Sequence, residues 1–167
     1  MMLIRYFTAF SLVFLACVHT LCAQQPPENE AILEVVHRLF EGMQKGDSAM
    51  VRSTFARDVT LATVRRNKEN KSTLHRENSV DGFMKAVGTP RPDGWYEEVW
   101  NVKVEQDDNF AQVWCDYGFY VGNRFSHCGV DAFHFYKGDE GWKIFHLADT
   151  RRNSPCIIPN DIQNKHK

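Results

Sequence analysis

Apolar residues in the first third of the chain recur at the spacing of a helix. Over residues 30–45 they stand three or four positions apart, which places them on one helical face: Ile32, Val35, Val36, Leu39, Phe40 and Met43. Gly46 suits the position just past a helix C-terminus, and Asp47 can cap a second, short helix that runs through Phe55. A third helix begins at Ser79, with an apolar side formed by Phe83, Met84 and Val87.

The remainder of the chain shows the alternation of apolar and polar residues that predicts strands. Residues 58–64 predict a first strand, and residues 72–76 predict a short returning strand after a charged turn. Following the third helix, four longer strands are predicted at 97–105, 110–120, 125–136 and 142–150. Helices first and a long meander afterwards indicate an α+β domain, with the helices packed against one face of a curved antiparallel sheet.

A hydrophobic segment at the N-terminus has the layout of a secretory signal. A short start containing Arg5 precedes an apolar run over residues 6–21, which is too short to span a bilayer as a helix, and Ala23 offers a small residue for cleavage. We therefore expect residues 1–23 to be a signal peptide, removed from a secreted or periplasmic protein. The alternatives are a lipoprotein signal ending at Cys17 or Cys22, and a retained anchor.

Cleavage would leave one domain over residues 24–153 and a polar C-terminal tail over residues 154–167, which is expected to be loose because it contains prolines and ends in polar residues. The whole chain has 20 Lys+Arg and 21 Asp+Glu, and the signal holds only Arg5 among them. The mature chain is therefore close to neutral, which favours neither nucleic acid nor a membrane surface as its partner.

Three cysteines follow the predicted signal, at Cys115, Cys128 and Cys156. An even turn around Gly122-Asn123 would place Cys115 and Cys128 on the same face of neighbouring strands, at a distance that a disulfide accepts. We therefore predict a cross-strand contact between them, bonded under oxidising conditions. Two buried free thiols, or a bond to Cys156, are the alternatives.

Acids and imidazoles in the late strands form the candidate site. Under the same even turn, Asp116, His127 and Asp131 share one face, with Phe133 beside Asp131. A carboxylate next to an imidazole raises its pKa and fixes its tautomer, as a general base requires. The alternative for the same residues is a buried structural ion pair that holds two strands together.

Five short segments stand out by their order and spacing: Gly46-Asp47, residues 55–59, residues 129–135, residues 141–144 and residues 149–152. Together they resemble the nuclear transport factor 2-like (NTF2-like) superfamily, and within it the SnoaL-like and lumazine-binding-like exported proteins. The resemblance implies a cone-shaped, cystatin-like fold, in which a curved antiparallel sheet wraps around N-terminal helices over an apolar pocket. It also implies a homodimer formed through the outer face of the sheet.

Ketosteroid isomerase provides a test of mechanism within this superfamily. Its chemistry needs a tyrosine on the first helix, an acid after the first strand and an acid on a late strand. The resemblance puts Leu39 at the tyrosine position and Thr63 at the base position, and only Asp131 matches an acid. Steroid isomerisation is therefore not expected.

The family's last strand turns alternate residues into the pocket, which by the match at Ile144 implies that Leu147, Asp149 and Arg151 face a ligand. Arg151 could hold an anionic or carbonyl group with its planar guanidinium. A longer turn before this strand would point His146 inward instead.

These residues support three hypotheses of different classes. The first is an exported small-molecule-binding domain, with an apolar pocket and an acid/His polar end that takes a partly aromatic molecule. The second is a cofactor-independent isomerase, cyclase or hydrolase that uses Asp116 and His127 as its base. The third is a structural dimerisation module. Neither a metal nor a cofactor is expected, because the histidines and cysteines lack metal-ligand spacing and no glycine-rich phosphate loop is present.

Overall fold

The computed structural model describes residues 28–77 and 79–167. The predicted signal peptide lies outside the described residues. Three helices come early: α1 Glu28–Lys45, α2 Ser48–Thr54 and α3 Asp81–Gly88. Between α1 and α2, Gly46 has a φ of 69°, which a residue with a side chain rarely adopts. Asp47 then caps α2 by accepting a hydrogen bond of 2.9 Å from the backbone N–H of Met50.

Six strands form one sheet: β1 Phe55–Arg66, β2 Ser72–Glu77, β3 Trp95–Asp107, β4 Phe110–Val121, β5 Arg124–Gly138 and β6 Gly141–Arg151. Their order across the sheet is β2-β1-β6-β5-β4-β3. All neighbours are antiparallel except β1 and β6, which run parallel. The fold class is therefore the expected α+β, with the correction that the sheet is mixed. The parallel pair arises because β1 precedes the meander and joins it at its last strand.

The helices cover the inner face of this sheet and enclose the core. The apolar stripe of α1 is buried through Ile32, Val36, Leu39 and Met43, and α1 reaches both β3 and β6. Side chains from the middle strands meet it, among them Val113, Phe133, Phe135 and Ile144. Burial of this stripe is what stabilises α1, since most of the stability of a helix in a protein comes from the packing of its apolar face.

A β-bulge between β4 and β5 decides which residues face the core. The turn is the expected two-residue one, with Val121 opposite Arg124, but Ser126 has no partner and the next pair is Phe119 with His127. One extra residue shifts every later pair by one position, so each side chain of β4 faces the opposite side from the expected one.

This bulge overturns the predicted contact between Cys115 and Cys128. Cys115 pairs with Asp131 and points inward as a buried free thiol, whereas Cys128 points outward. Cys128 instead forms a disulfide with Cys156, with the two Cα atoms 6.0 Å apart. The prediction was wrong because an even turn preserves the register only in the absence of a bulge.

A second bulge lies in β6. Phe135 pairs with Ile144 and His134 with His146, which leaves Phe145 without a partner. The bulge lets Ile144 stay in the core while the odd-numbered residues that follow, starting at Leu147, also face inward.

The C-terminal residues are not the expected loose tail. Residues 160–165 form a short helix, α4 Asn160–Lys165, and its Ile162 is buried. The His166 ring stacks on Tyr120 of β4 at 3.9 Å between centroids. The disulfide at Cys156 fixes the start of the segment, and these long-range contacts explain why local composition predicted it wrongly. No helix among residues 28–77 and 79–167 is long and apolar enough to cross a membrane.

Candidate functional site

A cavity of about 400 Å³ lies between the helices and the inner face of the sheet. Its walls are mainly aromatic and aliphatic, with Leu39, Phe40, Phe83, Trp95, Phe119 and Leu147 among them. Polar side chains gather at one end, where β3, β5 and β6 contribute Glu97, His127, Asp131, Asp149 and Arg151. An apolar body with a few convergent polar groups is the usual form of a small-molecule site.

The most unusual feature of the polar end is a pair of carboxyl groups. Asp131 is 2% exposed, and its Oδ2 has no hydrogen-bond donor among the described residues. Its carboxyl group lies within hydrogen-bonding reach of that of Glu97, which extends across from β3. Two ionised carboxylates have only acceptors, so this contact requires a proton on one of them.

Burial and mutual repulsion hold that proton in place. Burial raises the pKa of Glu97 to about 7, against the opposing effect of its hydrogen bond with Asp131. Burial, followed by the charge of Glu97, raises the pKa of Asp131 well above its usual range. Near neutral pH the pair therefore holds a shared proton, which it can donate to an acceptor in the cavity.

Asp149 has the opposite surroundings, although it lies directly opposite Asp131 in the pairing of β5 with β6. Its Oδ1 accepts a hydrogen bond of 2.6 Å from the Thr63 hydroxyl, and its Oδ2 accepts one of 2.7 Å from the Arg151 Nε. The Tyr117 hydroxyl lies 3.1 Å from the same Oδ2. Asp149 is thus a satisfied carboxylate that orients Arg151, whereas Asp131 has the carboxyl group of Glu97 as its polar neighbour.

His127 faces the cavity as a neutral ring. It packs against Phe119 and Tyr117, at 5.0 Å and 5.7 Å between ring centroids. Burial, together with the positive charge of Arg151, lowers the pKa of His127 to about 4. At neutral pH it is therefore uncharged, and it contributes an aromatic surface with one polar nitrogen.

The expected pair of Asp116 with His127 does not form. Because of the bulge at Ser126, Asp116 pairs with Val130 and points to the outer face of the sheet, where it accepts a hydrogen bond of 2.7 Å from Asn101. The prediction that Asp116 shares a face with His127 was wrong. The hypothesis that this pair is a general base is withdrawn with it.

The other predicted site residues divide into two groups. Asp131, His127, Leu147, Asp149 and Arg151 all line the cavity. Phe133 does not: it is fully buried in the core, where it packs edge-on against Phe40 at 6.1 Å between centroids. His146 points outward and contacts the Thr60 hydroxyl at 2.7 Å, as expected if the odd-numbered residues of β6 face inward.

Sequence reasoning missed Glu97 and Tyr117 as site residues. Glu97 stands in the run Trp95-Tyr-Glu-Glu-Val99, where two adjacent acids leave open which one faces inward. The available signal was that two acids stand in an otherwise apolar strand, after Trp95 and Tyr96 and before Val99, so that one of them has to face the interior. Tyr117 was missed because the assumed register turned it outward.

No group of three or more His, Cys, Asp or Glu side chains within the described part of the chain is arranged to hold a metal ion. Asp149 is engaged by Thr63 and Arg151, and the remaining acids at the cavity's polar end are paired with each other.

Comparison with known proteins supplies the family. A model of the family described as "Putative lumazine-binding" matches residues 27–146. No curated protein sequence gives a significant match.

Solved structures share the fold at low identity. An NTF2-like protein of unknown function from Shewanella baltica has a TM-score of 0.54 and 18% identity, with 76% of this chain and 95% of that chain covered. A putative scytalone dehydratase from Novosphingobium aromaticivorans has a TM-score of 0.59 and 13% identity, with 80% and 91% covered. A putative dehydratase of the NTF2-like family from Streptomyces avermitilis has a TM-score of 0.55 and 14% identity, with 74% and 94% covered. The chain therefore belongs to the lumazine-binding-like family, and its fold is that of the NTF2-like proteins.

Proposed function

We propose that this protein binds a small, largely apolar molecule whose polar end is a hydrogen-bond-accepting oxygen, such as a carbonyl. The observation that carries the proposal is the buried carboxyl pair of Asp131 and Glu97, which holds one shared proton at the end of an apolar cavity. A protonated carboxyl in an apolar site donates a strong hydrogen bond without the cost of a buried charge.

The shape and charge of the cavity support a neutral ligand. Its volume of about 400 Å³ lies within the range of ordinary small-molecule sites. Arg151 is already paired with Asp149 at 2.7 Å, so it offers little free positive charge to an anion. An anionic ligand would instead meet Glu97 and Asp131, which lose their shared proton as the pH rises.

A matched series of probes tests the proposal. Acetonaphthone, ethylnaphthalene and naphthoate have the same aromatic body, but they end in a carbonyl, an apolar group and a carboxylate. We expect the ketone to bind most tightly and naphthoate least, as measured by isothermal titration calorimetry. The Asp131→Asn variant should lower the preference for the ketone over the hydrocarbon by less than about tenfold, because its amide still donates. Asp131→Leu, which has no donor, should lower it by about tenfold, the value of one lost hydrogen bond in a buried site.

Asp116→Asn is the matched control, because Asp116 lies on the outer face and contacts Asn101. It should leave the ranking of the probes unchanged. Equal affinity for the ketone and the hydrocarbon in the wild type would contradict the proposal.

A second candidate function is proton-transfer catalysis of the isomerase or dehydratase type, which the pKa of Glu97 favours. A carboxyl group with a pKa of about 7 is half protonated near neutral pH, as a general acid or base requires. Two structural neighbours are described as putative dehydratases, which supports this class by analogy of fold alone. Exchange of the probe ketone's α-hydrogens with deuterium from solvent, lost in Glu97→Gln, would support it.

We infer that the protein is exported. The disulfide between Cys128 and Cys156 supports this, because such bonds persist in oxidising compartments. The signal-like pattern over residues 1–23 is the second support.

We further propose that two copies pair through the outer face of the sheet. Phe110, Trp114 and Tyr136 are 42%, 52% and 43% exposed there, and Phe110 lies 6.3 Å from Phe145 between ring centroids. Exposed aromatic residues that cluster in this way are typical of protein interfaces. A purely structural dimerisation module is not favoured, because it would have no use for a cavity with a shared proton.

A further inference from the structure

The hairpin formed by β1 and β2 concentrates positive charge at one edge of the sheet. Five exposed basic residues lie in its paired part and turn, residues 61–77: Arg65, Arg66, Lys68, Lys71 and Arg76. None of the five has a carboxylate within 4.0 Å among the described residues. Of the two acids in the same stretch, Glu77 contacts His75 at 3.0 Å and Glu69 lies in the turn.

Two exposed apolar residues stand among these charges. Val64 and Leu74 pair directly across the hairpin and are 40% and 54% exposed. Side chains alternate along a strand, so Arg66 and Arg76 lie on the same face as this pair, on the side away from the cavity. We call this group, Val64, Arg66, Leu74 and Arg76 with the adjoining turn lysines, the hairpin surface.

The position of β2 leaves this surface open. β2 is the edge strand of the sheet, and all six of its residues are exposed. Basic side chains on an edge strand can serve simply to prevent edge-to-edge pairing. Preventing edge-to-edge pairing requires the charges but not an exposed apolar pair beside them. Leu74, which is more than half exposed, contributes little to the core.

We propose that the hairpin surface binds an anionic lipid bilayer. Phosphate headgroups attract the unpaired arginines and lysines, and Val64 and Leu74 then insert at the boundary between headgroups and acyl chains. A soluble polyanion would use the charges alone. The apolar pair between two arginines therefore favours a bilayer over a polysaccharide or nucleic acid.

The near-neutral composition of the whole chain argued against a membrane partner, but local charge decides such contacts. Exposed charges are screened over about 8 Å at physiological salt, so acids on distant faces do not cancel the field of the hairpin. Thr63 and Glu77, on the same two strands, line the cavity. Docking would thus bring the cavity close to the membrane, which is a source of apolar molecules. This consequence rests on the proposed function. The docking itself is independent of the proposed function.

Vesicle flotation of the purified full-length chain tests the proposal. Vesicles of phosphatidylcholine alone are compared with vesicles in which about a third of the lipid is phosphatidylglycerol. We expect binding only to the anionic vesicles, weakening as salt is added. The variant Arg66→Gln/Arg76→Gln should bind more than about tenfold more weakly, since each basic residue near an anionic surface contributes roughly a fivefold effect.

The control variant is Arg57→Gln/Arg124→Gln, which removes two exposed arginines outside the hairpin surface. It should bind like the wild type. Arg66→Lys/Arg76→Lys keeps the charges and should retain binding, which separates a lost charge from a misfolded hairpin.

Dextran sulfate distinguishes a bilayer from a soluble polyanion. The variant Val64→Ser/Leu74→Ser should lose vesicle binding and keep the affinity of the wild type for dextran sulfate. The proposal is overturned if the wild type binds dextran sulfate but not anionic vesicles, or if the glutamine variant floats as the control does. Failure of the naphthalene probes to bind would contradict the proposed function but would not affect the proposal of membrane binding.

Discussion

The carboxyl groups of Glu97 on β3 and Asp131 on β5 lie within hydrogen-bonding reach of each other, although β4 lies between the two strands. Neither residue is near the other in sequence, and each has its pKa raised by burial. The contact places a shared proton at the end of an apolar cavity. The properties expected of this protein depend largely on that proton.

Replacing Asp131 by Asn separates a ligand-binding acid from a structural one. The amide keeps the size of the side chain and removes a charge that is costly to bury, so we expect the melting temperature at pH 8 to hold or rise. Binding of acetonaphthone should weaken in the same variant. Differential scanning calorimetry provides the first measurement, with Asp116→Asn alongside. A loss of about 1–3 kcal/mol at every pH would instead indicate a structural network.

The pH dependence of stability should report the raised pKa values. A carboxyl group whose pKa is higher in the folded state binds its proton more tightly when folded, so its contribution is full below the unfolded value of about 4.3 and is lost as pH rises. For Glu97 the loss extends through about pH 7, and for Asp131 it continues above that.

The variant Glu97→Gln/Asp131→Asn removes both groups. Its melting temperature relative to the wild type should therefore increase steadily between pH 5 and pH 8. Taking the difference cancels His127, whose lowered pKa makes it destabilise the fold in acid. Asp149, Arg151, Tyr117 and Cys115, which also face the pair, are present in both proteins. A difference that does not change with pH would show that the pair ionises normally.

The cysteines should be distinguishable by chemistry. Peptide mapping without reduction should recover Cys128 linked to Cys156, with Cys115 free. Burial raises the pKa of Cys115, so we expect its thiol to resist alkylation until the protein unfolds. The variant Cys128→Ser/Cys156→Ser should lose about 3 kcal/mol of stability, whereas Cys115→Ser should keep the disulfide. A Cys115–Cys128 peptide would contradict the register.

The mature N-terminus tests the predicted export. N-terminal sequencing of protein recovered from the medium or periplasm should begin at Gln24 or within a residue or two of it. This follows from the short charged start, the apolar run and Ala23. A lipid-modified Cys22 at the N-terminus would contradict it, as would full-length protein that stays with the membrane.

A charge on the outer face of the sheet should separate a dimer. Trp114 is 52% exposed there, and Trp114→Glu would place a carboxylate in the centre of the proposed interface. Light scattering after size exclusion should give a dimer for the wild type and a monomer for the variant. Ile157→Glu, at a residue that is 89% exposed elsewhere, is the control. A wild-type monomer at high protein concentration would refute the pairing.

Much of the molecule could be predicted because its causes are local. The apolar stripe of α1 and the cap at Asp47 act within one or two helical turns, and the alternation in β4, β5 and β6 acts within one strand. Asp131, Asp149 and Arg151 reach the cavity as predicted. The resemblance to the NTF2-like superfamily, which is confirmed, rests on the order of the same local segments.

Only the tertiary structure decided which side chains of the late strands face the cavity. Two residues without a partner on the neighbouring strand determine this. Ser126 and Phe145 each add one position to a strand, and side chains alternate with a period of two, so one extra residue exchanges the inner and outer faces. For this reason Asp116 faces outward and Tyr117 faces inward, the reverse of the predicted orientations. A bulge depends on how two neighbouring strands pair, so it cannot be read from the pattern of either strand alone.

The shared proton and the packed C-terminus likewise depend on contacts between residues that are far apart in the sequence. Glu97 meets Asp131 only because β3, β4 and β5 lie side by side, and Cys156 meets Cys128 only after the chain returns over the sheet. Sequence determined the elements, since their hydrophobic pattern is local. Packing determined which acids share a proton, because a pKa responds to burial and to neighbouring charges that only the folded chain brings together.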